Sequence, residues 1–218
     1  MPIHATERPA AGPMPRHGRA RRHLLTLAVI PALGTPLSPW AQPVPTIAAG
    51  GTRYDNEITL AGQRLVLNGA GTRYRAIFKV YDLGLYTARR SQNPEELVAM
   101  SGGKRLNFVA LRELPGTDLG RLLVKGLQEN NPRETVQRHM TAVGRLGDVF
   151  AGKVKLMPGD GFAIEFVPGR GTLFYITGVP QGEPIADPEF FGLLLRIWLG
   201  KSPADWQLKD ALLGLPKG

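Results

Sequence analysis

The 218-residue chain is 43% hydrophobic and 21% charged, with 27 glycines, 19 prolines and no cysteine, a composition sufficient for one sizeable core. Without sulfur ligands, disulfide scaffolds, thiolate zinc sites, cysteine nucleophiles and thiol redox chemistry are excluded. The formal charge of +9 would favour an acidic partner, but five arginines crowd the first 23 residues; beyond residue 41 the excess is +5 and scattered, so no nucleic-acid surface is expected.

In chain order, Arg8, Arg16, Arg19, Arg21 and Arg22 precede an uncharged apolar run, LLTLAVIPALGTPL, from Leu24 to Leu37, and then Ser38-Pro39-Trp40-Ala41. This reads as an export signal, residues 1–41, cut after the small residue Ala41, and predicts a periplasmic or secreted protein. Fourteen residues at about 1.5 Å each reach roughly 21 Å, short of a ~30 Å hydrocarbon core, and Pro31 interrupts any helix. No permanent membrane anchor is expected. Arg21-Arg22-His23-Leu24-Leu25 also loosely matches a twin-arginine signal; a plain basic leader is the simpler reading, and the route stays open.

Residues 42–56 are rich in proline, glycine and small side chains and predict an irregular lead-in, with one domain over 57–218. Glu57 to Leu60, Gln63 to Asn68 and Ala76 to Thr87 have strand character, with a turn at Ala61-Gly62. Asn93-Pro94-Glu95-Glu96 starts a short helix, since asparagine caps free amides and acids suit the positive end. Lys104 to Leu114 alternates Leu106, Phe108 and Ala110 with Asn107, Val109 and Leu111, which predicts a strand covered on both faces. Leu119, Leu122, Leu123 and Leu127 form one helical stripe ending near Asn130. A second helix, capped through Asn131 and Glu134, is predicted to run to about Phe150. Gly159 to Phe166 and Gly171 to Thr177 read as a hairpin. Asp187 opens an apolar helix that stops at Gly200, and Ser202-Pro203-Ala204-Asp205 opens a last one. Strands first, helices in the middle, a late hairpin and terminal helices give an α+β fold.

Gly69-Ala70-Gly71 lacks the third glycine and following helix of a phosphate-cradling loop; a bend or close backbone approach explains it better. Past the leader only His139 remains. It is expected to be exposed on its helix, and metal sites or Ser-His-acid triads have little to build on. No cofactor is expected.

Gly69-Ala70-Gly71-Thr72-Arg73, followed by Phe78-Lys79-Val80-Tyr81-Asp82-Leu83-Gly84-Leu85-Tyr86, resembles the chalcone isomerase-like family, in which Gly-x-Gly-x-Arg on one strand precedes a strand ending Gly-hydrophobic-Tyr. Pro115-Gly116 before the long helix, the hairpin from Phe162 to Tyr175, and Gly200 before Ser202-Pro203 follow in the family's order. The resemblance covers roughly Gly51 to Leu213. It implies an open-faced antiparallel β-sheet packed against a layer of helices.

It also implies that Arg73 and Tyr81 are ligand-binding residues. Arg73 matches the arginine that steers a phenoxide in plant isomerases and grips a carboxylate in fatty-acid-binding relatives; Tyr81 matches the carboxylate-binding tyrosine of the latter. Read alone, Arg73 is more simply a surface or salt-bridged strand residue, paired with Asp82 or Glu57, while Tyr81 could equally be a core side chain. The positions where true isomerases place tyrosine, lysine and asparagine hold Leu119, Leu122 and Gly126 here, and a later serine or threonine falls near Phe191. None can move a proton. The expectation is therefore an exported, non-catalytic protein holding a fatty acid or similar apolar carboxylate, with leucines lining the cavity. An isomerase or lyase acting on a phenolic or enone ligand, and an envelope assembly or accessory protein, are the alternatives.

Overall fold

The computed structural model describes residues 46–152 and 155–216. The export signal and twin-arginine readings lie outside them. Seven antiparallel strands form the main sheet in the order β11-β10-β9-β6-β5-β4-β3: β3 Glu57–Leu60, β4 Gln63–Arg75, β5 Phe78–Thr87, β6 Lys104–Ala110, β9 Gly161–Val167, β10 Gly171–Ile176 and β11 Val179–Pro180, while the short β7 Leu114–Pro115 and β8 Lys155–Leu156 pair separately. Helices α2 (Gly116–Asn130), α4 (Met140–Ala151) and α5 (Phe190–Leu199) supply the main core together with one face of the sheet. The α+β architecture with a helical layer is the expected one.

From Tyr81 onward a period of two divides the side chains of β5 between the two faces. Tyr81, Leu83 and Leu85 belong to the helix-side core. Asp82, Gly84 and Tyr86 turn to the other face, where β1 (Thr46–Ala49) and β2 (Thr52–Asp55) pair as an antiparallel hairpin. That hairpin replaces the irregular lead-in expected before residue 57. Tyr54 anchors it, lying so close to the sheet that a Cβ at Gly84 would meet its ring at 2.6 Å. Thr52 and Thr72 hydroxyls donate to the fully buried Asp82 carboxylate at 2.7 and 2.6 Å. The alternating small and polar residues that looked irregular are what a strand lying over a carboxylate and a glycine requires.

Several boundaries also differ from expectation. β4 runs unbroken to Arg75, and the chain turns at Ala76, with φ 52, and Ile77; Ala76 is turn rather than strand. In β6 only the inner residues are fully buried, while Arg105, Asn107 and Val109 are half-exposed. Asn131 does not cap the next helix. Its amide donates to the Leu127 and Leu193 carbonyls and ties α2 to α5. The single helix expected from 131 to 150 divides at His139 into α3 (Arg133–Arg138) and α4. His139 is not exposed: 9% of its side chain meets solvent, and Nδ1 bonds the Asp187 carboxylate. Pairing with the segment before α5 pulls this residue out of the helical path. Asn93 caps α1 (Pro94–Ala99) as the sequence predicts, and the last helix, expected to open with Ser202-Pro203-Ala204-Asp205, begins after that segment, with Asp205 as the cap of α6 (Trp206–Leu212).

Candidate functional site

Which way Arg73 points depends on a bulge. Leu65 and Leu67 face the hairpin side, and strict alternation would send residues 69, 71 and 73 the same way. The register slips between Leu67 and Gly69, where Asn68 turns aside to donate to the Ser91 and Leu212 carbonyls at 3.0 and 2.7 Å. One extra residue reverses the faces beyond it. Gly69 and Gly71 then lie under α6, where a Cβ would stand 2.1 Å from the Ala211 carbonyl oxygen and 2.6 Å from the Ala211 Cβ, respectively. The two glycines thus admit a helix, not a phosphate. Arg73 follows on the same face, opposite Tyr81 in the β4–β5 ladder.

The half-buried guanidinium lies 5.5 Å from the centre of the Tyr81 ring. Nε donates a long bond, 3.5 Å, to the Ala204 carbonyl. Among the described residues no carboxylate is within ion-pair distance of Arg73: Glu57 is taken by Arg64 and Asp82 by the threonines. The pairing with Asp82 or Glu57 that the sequence allowed is therefore not made. Most of the guanidinium's N–H groups remain available to an acceptor.

Tyr81 is 3% exposed and accepts a hydrogen bond from Trp198 Nε1 at 2.8 Å. Burial raises its pKa, opposed by the charge of Arg73 and the Trp198 bond, so the phenol stays protonated at neutral pH. Having accepted from Trp198, it still has its own proton to donate. Trp198 was not foreseen as a site residue, because a tryptophan in an apolar helix signals only core; its N–H partner lies 117 residues away.

Two small clefts meet at this pair. One, about 160 Å³, lies between the β4–β5 end and the start of α2, against Arg112, Pro115 and Leu119. The other, about 220 Å³, runs between α2 and α5 and is lined by Leu119, Leu122, Leu123, Gly126, Ile197 and Trp198 among others. Leu119, Leu122 and Gly126 thus all line the cleft and offer no side-chain proton donor. Phe191 does not. It is 1% exposed and lies near Phe166, in a separate depression of about 410 Å³ between α1, β6 and α5.

Tyr81 is buried against the helix-side core beneath it. The space is filled by aromatic rings: Phe108 stacks on Phe162 with centroids 3.9 Å apart, Tyr81 meets Phe108 edge-on at 5.4 Å, and Trp198 leans on Phe108 at 5.2 Å. The cation stands at the rim of a groove rather than over a tunnel. No cluster of three His, Asp or Glu among the described residues could hold a metal.

A family model described as chalcone isomerase-like matches residues 47–214. A search of curated proteins finds no match. Among solved structures, a fatty-acid binding protein of Arabidopsis thaliana superposes with a TM-score of 0.60 at 13% identity, over 78% of this chain and 96% of that one. At that identity the likeness is one of fold.

Proposed function

This chain belongs to the chalcone isomerase-like family, and on that premise we propose that it is an exported, non-catalytic member that binds a fatty acid or similar apolar carboxylate, with Arg73 and Tyr81 at the head group. The observation that carries the reading is a half-buried arginine without an acid partner among the described residues, stacked on a protonated tyrosine at the junction of two clefts in which leucines of α2 lie beside charged side chains. Arginine can give a carboxylate two parallel hydrogen bonds, and Tyr81 a third. The Arabidopsis structure, titled as a fatty-acid binding protein, supports the ligand class.

Cleft volume limits the ligand. At about 220 and 160 Å³ each lobe lies below the ~300–1,000 Å³ usual for small-molecule pockets. A short acyl chain seated along the α2–α5 groove fits this arrangement better than a long one. Each buried methylene contributes about 0.8 kcal/mol, so affinity rises with chain length only until the groove is full. The α2 positions at which the family's isomerases place tyrosine, lysine and asparagine hold Leu119, Leu122 and Gly126, whose side chains move no proton.

The test is titration calorimetry of the purified protein with saturated fatty acids of increasing length, beside mass spectrometry of extracted lipid. Saturable binding is expected, weakened roughly tenfold or more in Arg73→Ala, since a hydrogen bond to a charged group contributes about 1.5–3 kcal/mol. Protein that purifies empty and ignores every added acid defeats the proposal.

A further inference from the structure

At the β4–β5 turn the chain exposes what folded proteins usually hide. Ile77 is 84% exposed and Phe78 59% exposed, side by side at the tip. Basic residues surround them. Arg75 and Lys79 flank the turn, exposed, and the Arg112 guanidinium lies 5.7 Å from the centre of the Phe78 ring. Among the described residues none of the three has a carboxylate within ion-pair distance. The neighbouring acids are occupied: Glu113 pairs with Lys155 and Asp118 with Arg121. Asp205 accepts the Tyr74 and Leu208 amides at 2.8 and 3.0 Å. The bond to Tyr74 also brings the next residue, Trp206, 61% exposed, to the same edge as Tyr74, itself 37% exposed.

We propose that this tip is a docking site for an anionic lipid surface. Charge complementarity selects the occupant, since three unpaired cations ring two apolar side chains with aromatic residues set back from them. Apolar groups enter the boundary between head groups and acyl chains, basic residues stay with the phosphates, and tyrosine and tryptophan favour the same boundary. A second protein is a poorer fit. Two projecting side chains on a narrow turn offer far less than the ~1,200 Å² of a stable protein interface, and the ring of like charge opposes a second copy. The site is distinct from the head-group proposal but adjoins it: Arg75 and Arg112 also line the smaller cleft beside Arg73, so a docked molecule would hold that cleft against the membrane.

Flotation of the full chain, freed of any leader, with phosphatidylcholine vesicles with and without phosphatidylglycerol tests this. Binding to the anionic vesicles alone is expected, falling steeply as salt is raised. Ile77→Ser/Phe78→Ser should abolish it, and Arg75→Ser/Lys79→Ser should weaken it about tenfold or more, at roughly fivefold per cation. All four side chains are exposed, so both variants should keep the parent melting temperature, and the Ile77→Ser/Phe78→Ser variant, whose residues line neither cleft, should keep the fatty-acid titration as well. No binding to anionic vesicles, binding that survives in the tip variant, or a tip that instead mediates self-association in light scattering would each overturn the proposal. Loss of fatty-acid binding with vesicle docking intact would overturn only the head-group reading.

Discussion

Lys104 begins β6 with 5% of its surface exposed. Its ammonium donates to the Met100 carbonyl at the end of α1 and lies 5.6 Å from the centre of the Phe166 ring. Among the described residues it has no acid partner, and burial lowers its pKa. The unfolded chain then keeps the proton to higher pH than the folded one. Folding bears the full cost below the depressed value and none above the ordinary lysine range, so this residue makes stability rise with pH between them. Urea midpoints from neutral to alkaline pH should show that rise, and Lys104→Met should flatten it. An unchanged slope would mean the ammonium is solvated. The sequence offered no sign of this, since a lysine at the head of a strand is ordinarily exposed.

At the scale of elements, the contact of α6 with β4 turns on missing side chains. Gly69→Ala would press a methyl against the Ala211 carbonyl oxygen, with the Leu212 backbone at 2.7 Å, and backbone cannot rotate aside. A loss of about 3 kcal/mol is expected, with early hydrogen exchange at Leu208 and Leu212. Gly144→Ala is the contrasting case. Nothing stands within 4 Å of a Cβ in that interior of α4, and the change should gain about 0.5–1 kcal/mol from helix propensity. Denaturant midpoints separate the two; equal effects would mean α6 is not held against β4. The Gly-x-Gly pattern was visible in the sequence, and its reading as a close backbone approach agrees with the structure. The approaching partner, about 140 residues away, was not visible.

Across the whole molecule, one sheet serves two cores. The helices cover one face, and the β1–β2 hairpin closes part of the other around Tyr54, which is 1% exposed. Tyr54→Ala should therefore lower the thermal midpoint of the entire domain, by about 3–5 kcal/mol, or roughly 10 °C for this size. The Tyr54 hydroxyl is buried beside the Thr52 side chain without a well-formed hydrogen bond among the described residues, and burial raises its pKa. Tyr54→Phe should then leave the midpoint unchanged or raise it. A drop on removing the hydroxyl, seen by differential scanning calorimetry, would mean that it bonds Thr52 in solution.

Periodicity and punctuation in the sequence determined the α+β order, the antiparallel hairpins, the capped starts of α1 and α6, and the kinship that singled out Arg73 and Tyr81. These are local signals, written within a few residues of where they act. Tertiary structure alone decided the rest. The slip at Asn68 exists because its amide finds the Leu212 carbonyl, and that slip turns Arg73 toward the helices. Trp198 reaches Tyr81 only once α5 is packed, and the aromatic rings that fill the space beneath them leave a groove where a cavity was expected. Each depends on contacts between residues far apart in the chain, whose geometry no short window contains.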